Sequence, residues 1–187
     1  LQKLPIDRLA LRGFFAPERG RIVLNQFLLK AGGGEVTAQG DVSDVAGALK
    51  GQLDAKIGAM PTATFKMLWP TWAAPGTRGW MARRLVRGNL LAGHFKVVRG
   101  ADATSPAWAP VGAGDRVSLA LEGADLGLML VEGWPAMEIP RGLLRVEGRA
   151  VEFAAPEASM TAADGRKFAL KANFTVDLDE PMPRTGH

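Results

Sequence analysis

From residue 6 nearly to its end the chain alternates apolar and polar residues in short runs. It abandons that alternation once, in the segment LWPTWAAPGTRGWMARRLVRG at positions 68–88. A period of two belongs to a β-strand with one dry and one wet side, because successive side chains leave the backbone on opposite faces. The fourth run shows it plainly: Leu49, Leu53, Ala55 and Ile57 share one face, and Lys50, Gln52, Asp54 and Lys56 the other. Runs at 6–12, 21–30, 35–42 and 49–57 follow one another at the spacing of a meander. The turn residues at 17–20 and 32–34 divide them.

The interruption has a helical period. Positions 61–68 suit a short helix with proline in its first turn, and Pro70 ends it because proline cannot continue the hydrogen-bond ladder. A second helix is expected from Gly76 or Thr77 to Val86, with Trp80, Met81 and Leu85 towards the protein and Arg83 and Arg87 away. Gly88 is placed to stop it.

Strands resume at 89–98, and a loose Ala/Pro/Gly segment follows at 100–114. Further runs lie at 116–122, 127–131, 142–150, 151–155, 158–162 and 167–178. In the last, Phe168, Leu170, Ala172, Phe174, Val176 and Leu178 face one way. Positions 6–42 and 139–176 echo each other as strand, turn, strand, small-residue turn, strand.

The expected fold is therefore mainly β: a strongly curved antiparallel meander sheet, an open β-groove or taco-like shape, with a short two-helix insertion. Glycines inside strands, such as Gly40, Gly51 and Gly148, suggest that curvature, because they permit coiling. The 187 residues divide into a first meander (1–58), the helical insertion (61–87), a second meander (89–180) and a Pro-containing tail (181–187). Together they form one β-rich segment, read as part of a longer protein because the chain begins mid-pattern.

Composition narrows the function. Apolar residues make up 47% and charged residues 22% of the chain, as in folded proteins. The net charge is +4, but the basic residues are scattered instead of forming one run, and no strand interleaves aromatic and basic residues as a base-stacking platform does. Nucleic acid is not expected. The one dense basic group, Arg83, Arg84 and Arg87, reads either as a solvated helix face or as a contact for anionic headgroups or another acidic surface. The longest apolar run, 126–131, is far shorter than the ~20 residues that span a bilayer.

No chemistry converges. There is no cysteine, and His94 and His187 are the only histidines, so no zinc site is expected. Ser43, Ser105, Ser118 and Ser159 lack the setting of an activated nucleophile. The run from Ala31 to Glu35 lacks the Lys and Ser/Thr of a phosphate loop and leads into a strand, so a hairpin turn is the better reading. Glu132, Glu138, Glu147, Glu152 and Glu157 show no acid/base spacing. No catalytic residue, metal or cofactor is assigned. Trp69, Trp72 and Trp80 form either an aromatic cluster sealing the sheet or a lipid contact.

Leu68, Trp69 and Pro70, then Pro75, Arg78, Trp80, Leu85 and Gly88 before a strand, resemble the helical insertion in the DUF3971 region of the YhdP and AsmA-like envelope proteins of Gram-negative bacteria. Downstream, Ile139, Pro140, Arg141 and Gly142, the turn at Ala163, Asp164 and Gly165, and the strand ending FTVDLDEP at 174–181 are similar to the same region. The resemblance covers roughly residues 60–180. It implies a segment of a periplasmic protein, anchored in the inner membrane by an N-terminal helix absent from this chain. It also implies an elongated β-groove that conducts phospholipid towards the outer membrane, built with neighbouring segments of the same chain and carrying no catalytic residues.

The physics suits that implication. Sixteen methylenes left in water would cost on the order of 12 kcal/mol at ~0.8 each, so a lipid conduit needs continuous apolar cover. Leu119, Leu121, Phe168, Leu170, Phe174 and Val176 are the expected lipid-facing residues, and Arg83, Arg84 and Arg87 the expected headgroup or partner contacts. Two other classes remain: a structural or protein-interaction β module whose apolar faces close into a dry core, and an enzyme, which would need converging polar groups.

Overall fold

The computed structural model describes residues 4–45, 48–69, 75–99, 116–147, 150–162 and 164–177. Most of the alternating runs are strands; the run expected at 127–131 is not, because β7 ends at Leu128 and 129–131 belong to the loop that follows. The elements are β1 (Ile6–Ala16), β2 (Arg21–Ala31), β3 (Gly34–Val45), β4 (Ala48–Ile57), β5 (Met60–Pro61), α1 (Thr62–Leu68), α2 (Pro75–Arg84), β6 (Leu85–Arg99), β7 (Arg116–Leu128), β8 (Met137–Glu147), β9 (Ala150–Thr161) and β10 (Lys167–Asp177). All ten strands join one antiparallel sheet in the order β1-β2-β3-β4-β6-β7-β8-β9-β10, with β5 pairing beside β4 onto β6. The two echoing stretches of sequence are the meanders β1–β3 and β8–β10.

Strong curvature is the expectation that fails. The sheet is neither closed nor strongly curved; β1 and β10 stand at opposite ends of the strand order, each with one edge unpaired among the described residues. The glycines taken as coiling points have another use. Gly40 and Gly51 lie in the regular β3–β4 register, where an added Cβ would run into the facing Gln52 and Asp41 carbonyls. Between β3 and β4 they permit close strand approach. Gly148 lies outside the described residues.

Local irregularities explain where the strand expectations were too short. Asp125 takes a left-handed backbone, φ 53°, in the middle of β7. Alternation breaks there, so one strand reads as two, at 116–122 and 127–131. In β9 a register shift opposite β10, between Leu170 and Ala172, separates Ala155 from Ala158 in the same way. Gly88 does not stop α2, which ends at Arg84. It sits inside β6 with φ 130°, where a Cβ would press on Leu126. The segment 100–114, Leu178 and the tail at 181–187 lie outside the described residues.

The insertion packs on one side of the sheet. Phe65, Trp69, Met81 and Leu85 from the helical region join Leu90, Leu121, Leu126, Leu128, Ile139, Leu144 and Phe153 in one buried cluster. Phe65 and Trp69 meet at 5.1 Å between ring centroids. The helices are tied at both ends. Thr64 Oγ1 donates to the Gly32 carbonyl at 2.8 Å, fastening α1 to the β2–β3 hairpin. Lys66 Nζ donates to the Leu85 and Ala82 carbonyls, placing a cation at the C-terminus of α2, where the helix dipole favours it. Burial lowers the Lys66 pKa below its ordinary value, so desolvation outweighs that attraction.

Ile139, 1% exposed, lies at the centre of this cluster. Ile139→Ala is expected to lower the unfolding free energy by about 2–5 kcal/mol in urea titration, the cost of a cavity in close-packed surroundings.

Candidate apolar binding site

Strand register turns the alternation of single strands into rows across the sheet, because residues paired across neighbouring strands share a face. One row runs Leu11, Phe27, Ala38, Ala55, Phe95, Leu119, Val146, Val151, Val176. The next runs Leu9, Leu29, Val36, Ile57, Gly93, Leu121, Leu144, Phe153, Phe174. Neither contains a polar side chain. At about 4.8 Å between strands, each row is roughly 38 Å long. The reverse face carries Lys30, Glu35, Asp54, Lys56, His94 and Lys96, with a Lys30–Glu35 salt bridge at 2.7 Å and a hydrogen bond between His94 Nε2 and Asp54 Oδ1 at 2.9 Å.

Cover along the rows is uneven. On β7, β8 and β9 the residues Leu119, Leu121, Leu144, Val146, Val151 and Phe153 are all buried. On β2 and β3 the residues Phe27, Leu29, Val36 and Ala38 are only half-buried, and on β1 Leu9 and Leu11 are 60% and 69% exposed. The apolar face thus passes from closed core to open surface within one sheet.

At the changeover lies a cavity of about 350 Å³, at the small end of the ~300–1,000 Å³ usual for ligand pockets. Its floor is Leu24, Phe27 and Leu29 of β2, Val36 and Ala38 of β3, Leu53, Ala55 and Ile57 of β4, then Phe95 and Leu119; Phe65, Leu68 and Trp69 form its roof. The space comes from the paired alanines: Ala38 faces Ala55, with Phe27 on one side and Phe95 on the other. Beneath α2 the packing is different. There Trp80, Met81 and Leu85 close over Leu121, Leu126 and Ile139, leaving about 30 Å³, room for a water at most.

The expected lipid-facing residues therefore separate. Leu119 lines the cavity and Leu121 lies in the packed region under α2. Phe174 stacks on Phe153 with centroids 5.1 Å apart, while Phe168 and Leu170 on the outer strand are 42% and 38% exposed. Val176 pairs with Val151 at the end of its row. Of the basic group, Arg87 binds Glu138 at 2.9 Å, Arg83 is exposed and Arg84 half-buried. Of the tryptophans, Trp69 is buried, Trp80 packs against the core and Trp134 is exposed. Trp72 and Trp108 lie outside the described residues.

The first-meander residues Leu24, Phe27, Val36, Ala38, Leu53 and Ala55 were not among the expected site residues. Their signal was present as Ala38 and Ala55, small residues at core-facing positions of adjacent strands. Among the described residues no three His, Cys, Asp or Glu converge on a metal site, and no helix is long and apolar enough to cross a membrane.

Substitution separates the open and packed regions. Ala38→Leu, growing into the cavity, should change the unfolding free energy by less than about 1 kcal/mol, whereas Leu121→Phe under α2 should cost about 1–3 kcal/mol from overpacking. Paired urea titrations of the two variants check this.

Comparison with protein-family models, with curated proteins and with solved structures gives no match to this chain.

Proposed function

We propose that this chain is a non-enzymatic lipid-binding segment of an AsmA-like envelope protein, holding phospholipid acyl chains on its apolar face during transfer from the inner to the outer membrane. The observation that carries the reading is the pair of unbroken nine-residue apolar rows, with a cavity lined by apolar side chains where their cover gives way. Acyl chains need apolar contact along their length and no directional partner, and a row without a polar residue supplies that contact. In this reading an acyl chain enters beneath α1, between Phe27 and Phe95, and extends along the rows towards β1.

The setting follows from the family resemblance: the periplasm, with an inner-membrane anchor elsewhere in the protein and neighbouring β-segments continuing the sheet. The free edges of β1 and β10 suit such neighbours, since an edge strand offers unpaired N–H and C=O groups. The exposed apolar residues of β1, including Leu9, Leu11 and Phe15, also favour a second reading, in which the whole face serves only to bind another protein segment.

Lipid mass spectrometry on the protein purified without detergent separates the two. Phospholipid should co-purify in near-stoichiometric amount, and a fluorescent fatty acid should bind and be displaced by palmitate. Ala38→Leu/Ala55→Leu, which fills the cavity without adding charge, should lower that affinity at least about tenfold while the protein stays folded. Folded protein that carries no lipid and binds no fatty acid would leave the protein-interaction reading standing.

A further inference from the structure

The end of the sheet beyond β7 and β8 carries an apolar tip that the cavity does not explain. The loop joining those strands, residues 129–136, exposes Leu130 (48%), Val131 (47%) and Trp134 (59%). It is built to stay in place. The Trp134 N–H donates to the Val131 carbonyl at 3.2 Å, and the Met129 N–H donates to the Arg84 carbonyl at 2.8 Å. The second bond ties the loop to the junction of α2 and β6, where Val86 is 51% exposed. Leu85 and Arg87 pair with Leu128 and Gly127 at the root of the same loop.

The charges around the tip are unbalanced. Arg83 and Arg84 have no carboxylate partner among the described residues. Arg87 and Lys167 share one carboxylate, Glu138, at 2.9 and 3.8 Å, and Arg166 is held by Asp164. The loop's own acid is Glu132. Three exposed apolar side chains, one of them an indole, at the end of the sheet where Arg83 and Arg84 close α2 without a carboxylate partner among the described residues, match a lipid interface. There, aromatic and aliphatic groups enter the headgroup layer and guanidinium groups meet its phosphates.

We propose that this tip, centred on Leu130, Val131 and Trp134 and flanked by Arg83 and Arg84, docks on the surface of an anionic phospholipid membrane. The inference is independent of acyl-chain binding in the cavity, which lies under α1 on the other half of the sheet.

Flotation with vesicles tests it. The protein should float with phosphatidylcholine vesicles containing phosphatidylglycerol, weakly with phosphatidylcholine alone, and less as salt rises. Trp134→Ser should weaken the binding about tenfold and Arg83→Gln/Arg84→Gln about 10–30-fold. Trp134 and Arg83 are exposed and Arg84 is half-buried, so circular dichroism should show the fold intact. Ala38→Leu/Ala55→Leu should float as the unaltered protein does. The proposal is overturned by absence of flotation, by binding that ignores the tip substitutions, or by loss of flotation on filling the cavity. It is equally overturned if Trp134→Ser instead dissociates a dimer seen by light scattering and the protein does not float.

Discussion

Everything in this molecule is arranged around the need to cover one side of a long open sheet. Antiparallel strands tolerate water on one face, and here that face is charged and paired. The other face presents two nine-residue apolar rows, and a sheet that does not close on itself cannot bury them against each other. The helical insertion is the answer within this chain, but seven and ten residues of helix reach only part of the way. Cover is complete on β7 to β9, thin over β2 and β3, and absent at β1.

That gradient divides core from site. Under α2 the side chains of Trp80, Met81 and Leu85 fill the space above Leu121 and Ile139, and the result is ordinary packing. Under α1 the sheet supplies Ala38 and Ala55, and the roof of Phe65, Leu68 and Trp69 stands away from them. The roof is held by polar ties at its rim, Thr64 to the Gly32 carbonyl and Lys66 to the end of α2. A roof fastened at its edges keeps a void open that free collapse would remove.

The strands, their order of pairing and the two helices were legible in the sequence because alternation and helical period are local signals. Where local geometry departs from the ideal, the reading slipped: Asp125 split β7, the β9 irregularity split another strand, and Gly88 looked like a helix stop because a bulge glycine and a cap glycine share the same residue type. Curvature was misread for a related reason. A glycine in a strand permits coiling and also permits close cross-strand approach, and only the register at Gly40 and Gly51 tells which is in use. Of the residues expected to face lipid, Leu119 lines the candidate cavity, whereas Leu121, Phe174 and Leu170 share only its face. Apolar character marks a face, whereas a cavity is marked by missing volume, and Ala38 and Ala55 are informative only once they are known to be opposite each other.

The same rows bear on what lies next to this sheet. At β1, Leu9 and Leu11 end the two rows at the open edge, more than half exposed, with eleven residues of backbone beside them. An edge of that length and character is a pairing hazard unless occupied, and the nearby Arg8 and Arg12 pair in register with Lys30 and Gln26 on the other face of the strand. A further strand in register would extend both rows by one residue and cover that edge in the same step. Continuation of the rows, more than the backbone hydrogen bonds alone, selects which strand fits: it must present apolar residues opposite Leu9 and Leu11, and a one-residue slip would put its polar face there instead. The alternation that builds this sheet therefore also specifies the register of whatever extends it.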